Sequence, residues 1–189
     1  MINFIKKKIP SSFKRKYKRL FQDLWQTFVY RNKKISFHRS GIRHVVFVCT
    51  GNICRSAFSE YALKKKLKHR NVKIESCGLD VTQAICSPVE AVTAGQLYGV
   101  DLTEHRSKGV MDCDLLNADL IVPMDYGHYR RLVADYPQYK MKIFLLRDFH
   151  TFPYSLVCNI HDPFGLAQDE FERCFGIIQR CLKGIAKIC

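Results

Sequence analysis

The sequence predicts an α/β fold: a four-stranded parallel sheet with helices on both faces, preceded by a basic amphipathic helix. Three observations lead there. Short apolar runs rich in β-branched residues alternate with longer segments of helical periodicity from residue 43 to the C-terminus. No internal repeat or low-complexity tract interrupts that alternation. The charge also gathers at one end. Residues 1–43 hold 13 Lys and Arg against one acid, Asp23, a balance of +12, so the rest of the +14 chain carries only +2. The boundaries drawn are an N-terminal extension over 1–42 and a single domain over 43–189.

In order along the chain, HVVFV (44–48) reads as a buried first strand and SAFSEYALKKKLKHR (56–70) as the helix after it, with Ser56 as N-cap. VKIESCGL (72–79) is a second strand, and SPVEAVTAGQLYGV (87–100) a helix stopped at Gly99. SKGVMDCDLLNA (107–118) contains a short helical piece before a third strand, DLIVPM (119–124). DYGHYRRLVADYP (125–137) is helical, KIFLLRDF (142–149) a fourth strand, and 167–188 the closing helix. In the extension, Phe13, Tyr17, Leu20, Phe21, Leu24, Trp25 and Phe28 recur at helical spacing after Ser11 or Ser12, with Lys14, Arg15, Lys18 and Arg19 mostly off that stripe.

The chemistry concentrates where the first strand ends. Residues 44–56, HVVFVCTGNICRS, place Cys49 at the mouth of a tight loop and Arg55–Ser56 at its exit. A strand, a loop and a helix N-terminus aim backbone N–H groups and the helix dipole at one point, which suits a phosphate-like dianion. Gly51 lets the backbone approach closely, and Arg55 offers two parallel charge-assisted hydrogen bonds. A thiol so placed ionises readily. An inert buried cysteine would not require Gly, Asn, Arg and Ser in the same loop.

With these residues the chain resembles the low-molecular-weight protein tyrosine phosphatases, of the phosphotyrosine phosphatase I-like fold. Cys49-Thr-Gly-Asn-Ile-Cys-Arg55-Ser56 matches that family's Cys-x5-Arg-Ser loop, and Asp162-Pro163-Phe164 its Asp-Pro-aromatic motif before the last helix. Between them, Ser76-Cys77-Gly78, Gly99-Val-Asp-Leu, His105-Arg-Ser107 and Asp119-Leu-Ile-Val-Pro-Met124-Asp125 follow in the family's order, so the resemblance covers about 43–189.

The resemblance implies a protein tyrosine phosphatase working through a phosphocysteine intermediate. Cys49 would be the nucleophile, Arg55 and the loop Thr50, Gly51, Asn52, Ile53, Cys54, Arg55 and Ser56 the phosphate cradle, and Asp162 the acid that protonates the leaving phenolate. Ser56 is read either as a cap or as a donor to the Cys49 sulfur, and Asn52 either as a turn residue or as a brace. Ile53 and Phe164 would line the substrate pocket, Ile53 standing where related arginine phosphatases resemble a Thr. No Trp or Tyr occupies Asp80–Thr82, where the family often has one at the pocket mouth. Cys54 would either fill space under the loop or act as a resolving thiol for oxidised Cys49.

The nine cysteines lack paired metal-ligand spacing and follow no signal-peptide-like segment, so a reducing cytoplasm is expected, with no metal and no cofactor. The extension has three readings. It lies on an anionic membrane surface or a membrane-protein partner through residues 1–40, making the protein peripheral at the inner face of the membrane; it packs its stripe on its own domain or on a partner, with the charge merely solvated; or it binds nucleic acid, which no recognisable nucleic-acid fold supports. Bacterial members of the resembled family often act on a membrane tyrosine kinase or polysaccharide-export system. Two other functions fit the same loop. A thiol-dependent arsenate reductase would need two further redox cysteines, typically just after the strand that reads LIVPM; Met124-Asp125 stands there, the next cysteine is Cys158, and only Cys77 and Cys86 leave an opening. A phosphotyrosine-binding pseudophosphatase would not need the full set of polar catalytic positions found here.

Overall fold

His44–Cys49 forms β1, and all six of its residues are buried, as a central strand covered on both faces requires. It pairs in parallel with β2 (Lys73–Gly78) on one side and β3 (Leu120–Pro123) on the other, giving the order β2-β1-β3. This computed structural model describes residues 11–33, 40–150 and 156–189, with side chains in the first helix from Tyr17 to Asn32. Residues 1–10 and 34–39 of the extension, and the side chains of Phe13, Lys14 and Arg15 counted in its pattern, lie outside the described residues.

Side chains alternate across the sheet. Val45, Phe47, Leu120 and Val122 enter a core with α2 (Arg55–Lys66), α3 (Val89–Gln96) and α5 (Gln168–Ile188), where Phe58 stacks on Phe175 at 3.9 Å between ring centres. Val46, Val48 and Ile121 face the other way, into a second core with Tyr129 and Leu132 of α4 (Tyr126–Asp135) and Tyr30 of α1 (Ser11–Lys33). Helices thus cover both faces.

The predicted fourth strand does not form; the described sheet has three strands. Ile143 makes a single parallel bridge to Ile121, and Phe144 N–H donates to the Ile121 carbonyl at 3.0 Å. There pairing stops. Leu145 N–H, on the edge away from β3, donates to the Tyr30 hydroxyl at 3.2 Å, and Leu146–Phe149 coils into a 3-10 turn under α5. That turn is held so close that a Cβ on Gly184 of α5 would stand 2.0 Å from the Phe149 carbonyl oxygen. The helical piece expected within 107–118 shrinks to a 3-10 turn at Val110–Asp112.

α1 sits on the domain through polar residues, not through its aromatic stripe. Asp23, Thr27 and Tyr30 are buried, whereas Tyr17, Leu20, Phe21, Leu24, Trp25 and Phe28 are all exposed, Phe21 by 73%. The reading in which the stripe packs on its own domain is therefore overturned for the described residues. The turn-by-turn recurrence of apolar residues marks one face, but buried partners for Asp23 and Thr27 decide which face docks.

Candidate active site

The Cys loop is fixed by a residue in an uncommon backbone conformation. Asn52 has φ 54°, a left-handed position that Asn tolerates better than most residues, and it is fully buried. Its side-chain amide donates to Ser56 Oγ at 2.9 Å and Ser76 Oγ at 2.8 Å, and its Oδ1 accepts from Lys108 N–H at 3.0 Å. Its carbonyl lies 2.6 Å from His105 Nε2, and its own N–H points at Cys49 Sγ, 3.3 Å away. Burial holds His105 below its ordinary pKa, with the Asn52 carbonyl opposing, so the neutral ring serves as an N–H donor. Asn52 is thus a brace, reaching two neighbouring segments as well as its own loop.

Ser56 lies 2.9 Å from Cys49 Sγ. It does not cap α2, as expected from sequence: Cys54 occupies that position, and the Ser56 hydroxyl turns inward to the sulfur. The adjoining strand must also come close. A Cβ on Gly78 would stand 2.5 Å from the Thr50 carbonyl oxygen and 2.9 Å from Asn52 N, so only glycine fits beside the loop.

Arg55 joins this loop to the rest of the site. It is only 2% exposed, and its Nη1 donates to Asp125 Oδ2 at 3.1 Å and to the Ile160 carbonyl at 3.0 Å. Its Nη2 donates to Asp162 Oδ2 at 2.5 Å, across 107 residues of sequence. The buried Nε has no partner among the described residues, so Nε–H and the second Nη2 N–H are left as two neighbouring guanidinium donors for an oxyanion. Burial opposes the Arg55 charge, but Cys49, Asp162 and Asp125 outweigh it and raise its pKa. Asp125 also caps α4 by accepting from His128 N–H at 2.9 Å. Burial would raise its pKa, yet the His128 hydrogen bond, then the charges of His128 and Arg55, bring it down to about 2. His128 Nε2 in turn meets Thr50 Oγ1 at 2.8 Å, tying α4 back to the Cys loop.

A cleft of about 410 Å³ opens over these groups. Thr50, Arg55, Asp125 and Asp162 form one side, while Arg19, Gln22 and Gln26 of α1 form another. Ile53 and Phe164, expected in the substrate pocket, are not among its lining residues. Ile53 packs against the core, and Phe164 is 59% exposed, its N–H donating to Asp162 Oδ1 at 3.3 Å. Beside the loop, where an aromatic rim residue is missing, Arg131 grips Asp80 with two hydrogen bonds of 2.8 and 2.7 Å. Cys54 is buried next to Cys49 and Arg55, and burial together with the Asp162 charge pushes its thiol pKa well up. All nine cysteines are free thiols.

The structure therefore brings Cys49, Arg55 and Asp162 to one place. Sequence reasoning assigned no role to Asp125, His105, Ser76 or His128. The first three fall in the quoted landmark segments, but nothing in the sequence showed that they face Arg55 and Asn52. Among the described residues, no group of three or more His, Cys, Asp or Glu side chains is placed to hold a metal ion.

A thiol at a strand end, an anion cradle and a facing carboxylate agree with the outcome of comparison. The sequence profile of the low molecular weight phosphotyrosine protein phosphatases matches residues 44–188. The chain belongs to this family. It is a protein-tyrosine phosphatase, a hydrolase of phosphate monoesters. The chain is 32% identical over 145 residues to the low molecular weight protein-tyrosine-phosphatase Etp of Escherichia coli K12, covering 76% of this chain and 92% of that protein. It is 31% identical over 147 residues to low molecular weight protein-tyrosine phosphatase A of Mycobacterium tuberculosis, covering 75% and 88%. The crystal structure of the corresponding phosphatase from T. tengcongensis superposes with a TM-score of 0.69 at 30% identity, over 76% of this chain and 97% of that one. α1 lies outside the matched family segment.

Proposed function

We propose that this phosphatase hydrolyses phosphotyrosine in proteins in two steps through a phosphocysteine. Cys49 Sγ attacks phosphorus, forming the S–P bond as the P–O bond to tyrosine breaks, and Asp162 delivers its proton to the departing oxygen. Asp162 then takes a proton from water, which attacks phosphorus, breaks the S–P bond and returns Cys49 as thiolate with free phosphate. Arg55 and the amides of the loop hold the equatorial oxygens through both steps. One observation carries the reading: a single buried guanidinium ties the loop of Cys49 to Asp162. Assays with a phosphotyrosine peptide should show no turnover for Cys49→Ser and a loss of about 10²–10³-fold for Asp162→Asn. Phosphoserine and phosphoarginine peptides should be poor substrates. Full activity in either variant contradicts the roles assigned.

The same reading includes the extension. α1 presents exposed aromatic and aliphatic side chains beside Lys18, Arg19 and Arg31, the arrangement of a helix lying on an anionic membrane surface. Among the described residues no helix is long and apolar enough to cross a membrane. Docked there, the enzyme would meet phosphotyrosine on a membrane tyrosine kinase or a polysaccharide-export system. Flotation with phosphatidylglycerol vesicles should recover the protein and lose the Phe21→Ser/Trp25→Ser variant; equal recovery removes the membrane from the account.

Cys54 supports an oxidant-protection role. Its burial keeps it protonated, so peroxide oxidises Cys49 first, to a sulfenic acid. Cys54 then attacks that sulfur, expelling water and closing a Cys49–Cys54 disulfide that dithiothreitol reopens. Mass spectrometry of peroxide-treated enzyme should find this linkage.

A further inference from the structure

We propose that α1, which stands outside the family domain, is a clamp that positions the acid loop, with Asp23 as its central positioning residue. This rests on Asp162 being the general acid.

The segment from Cys158 to His161 leads directly into Asp162 and has no regular secondary structure. Four of its groups are held by one face of α1. Thr27 Oγ1 accepts from Cys158 N–H at 3.0 Å while its own hydroxyl donates to the Asp23 carbonyl at 2.7 Å. Asn159 Nδ2 donates to Asp23 Oδ1 and to Gln26 Oε1, each at 2.7 Å. His161 Nε2 meets Asp23 Oδ2 at 2.8 Å, and Arg19 Nε donates to His161 Nδ1 at 3.1 Å. Since Nδ1 accepts from Arg19, the proton of the neutral ring is on Nε2, facing Asp23. Asp23 therefore holds Asn159 with one carboxylate oxygen and His161 with the other.

The rest of the segment is tied to the catalytic side. Asn159 Oδ1 accepts from Tyr126 N–H at 2.9 Å, at the start of the helix that Asp125 caps. Ile160 N–H donates to the Met124 carbonyl at 2.9 Å, and the Ile160 carbonyl accepts from Arg55. The segment is thus pinned between α1 and the Arg55–Asp125 cluster. Asp162, the next residue, has a side chain 45% exposed and gets little placement from burial of its own. Asp23 is buried although it is the one acid of a strongly basic extension, and its carboxylate hydrogen-bonds Asn159 and His161 of the acid loop. A carboxylate serving only the solubility of α1 would face solvent.

The test separates positioning from general loss of structure by the leaving group. Phenyl phosphate leaves as a poor phenolate and needs the proton from Asp162, whereas 2,4-dinitrophenyl phosphate leaves without it. For Asp23→Ala, kcat/KM should fall about 10–100-fold on phenyl phosphate and less than about 3-fold on the dinitrophenyl ester. Asp23→Asn, which keeps an acceptor, should recover part of the loss. In an Asp162→Asn background, Asp23→Ala should cause no further loss on phenyl phosphate, because both act through one proton transfer. Thr27→Val, of similar shape, should show the same selectivity more weakly and serves if Asp23→Ala does not fold. Equal losses on both esters, or additive losses with Asp162→Asn, overturn the clamp. If Asp162→Asn itself loses equally on both esters, the acid assignment fails instead.

Discussion

The two loops that meet at Arg55 are held in opposite ways. The Cys loop is delivered by contiguous elements: β1 brings Cys49, α2 receives Arg55, and Asn52 locks the turn between them from a left-handed position, bonding Ser56 within the loop and Ser76 and Lys108 beside it. The acid loop has no such internal brace. Asp162 follows four residues, three of them held by a helix more than a hundred residues away in sequence and the fourth, Ile160, by Met124 and Arg55. The nucleophile is locally encoded, and its acid partner is placed at a distance. A local site fails as a unit when its brace is removed, whereas a remotely placed group loses only the step that needs it.

The largest effect should come from Asn52→Ala. Ser76 Oγ and Lys108 N–H lose a buried partner, and alanine inherits φ 54°, so denaturant unfolding should show a loss of about 3 kcal/mol or more. Turnover should fall on every aryl ester alike, unlike the leaving-group-selective loss expected for Asp23→Ala. If Asn52→Ala were also selective for poor leaving groups, the contrast between the loops would collapse.

Asp125→Asn, which loses the carboxylate beside Arg55 where the loops meet, should rank next. The Asp125 carboxyl has its pKa depressed in the folded protein from an ordinary 3.8 to about 2, so its charge stabilises the fold above about pH 4 and that contribution fades as pH falls toward 2. Urea unfolding should therefore show the variant weaker by about 2 kcal/mol at pH 7, and the gap should narrow below pH 4. A gap that widens with acid would mean the Asp125 charge is not what ties the loops together. The smallest effect belongs to the exposed face of α1: Phe21→Ser/Trp25→Ser should change stability by no more than about 0.5 kcal/mol, because neither ring is buried. A larger loss would mean that this face packs on the domain.

The same division governs how much the sequence reveals. β1, the loop and α2 are contiguous, so the apolar run, Gly51 and Arg55–Ser56 could be read together. What could not be read is whatever depends on faces and distant partners. Ile143 to Phe149 has the composition of a strand, but pairing ends after Phe144, where Leu146–Phe149 coils into a 3-10 turn against α5. The aromatic stripe of α1 shows helical periodicity, which identifies a face without saying whether that face is buried. Asp23 looks like a lone acid in a basic arm, and only its buried contacts with Asn159 and His161 show what it does. Ile53 and Phe164 are expected in the pocket from resemblance to the family, but the α1 wall of the cleft over Arg55 lies outside the matched segment and has no counterpart in that resemblance.

The central claim is that Cys49 carries the phosphoryl group between the two steps. Wild-type enzyme mixed with a phosphotyrosine peptide, quenched during turnover in neutral denaturant and digested, should yield the Cys49 peptide bearing one phosphoryl group, with none on Cys54. Phosphate release at full rate with every cysteine unmodified would contradict the account and point to direct attack by water.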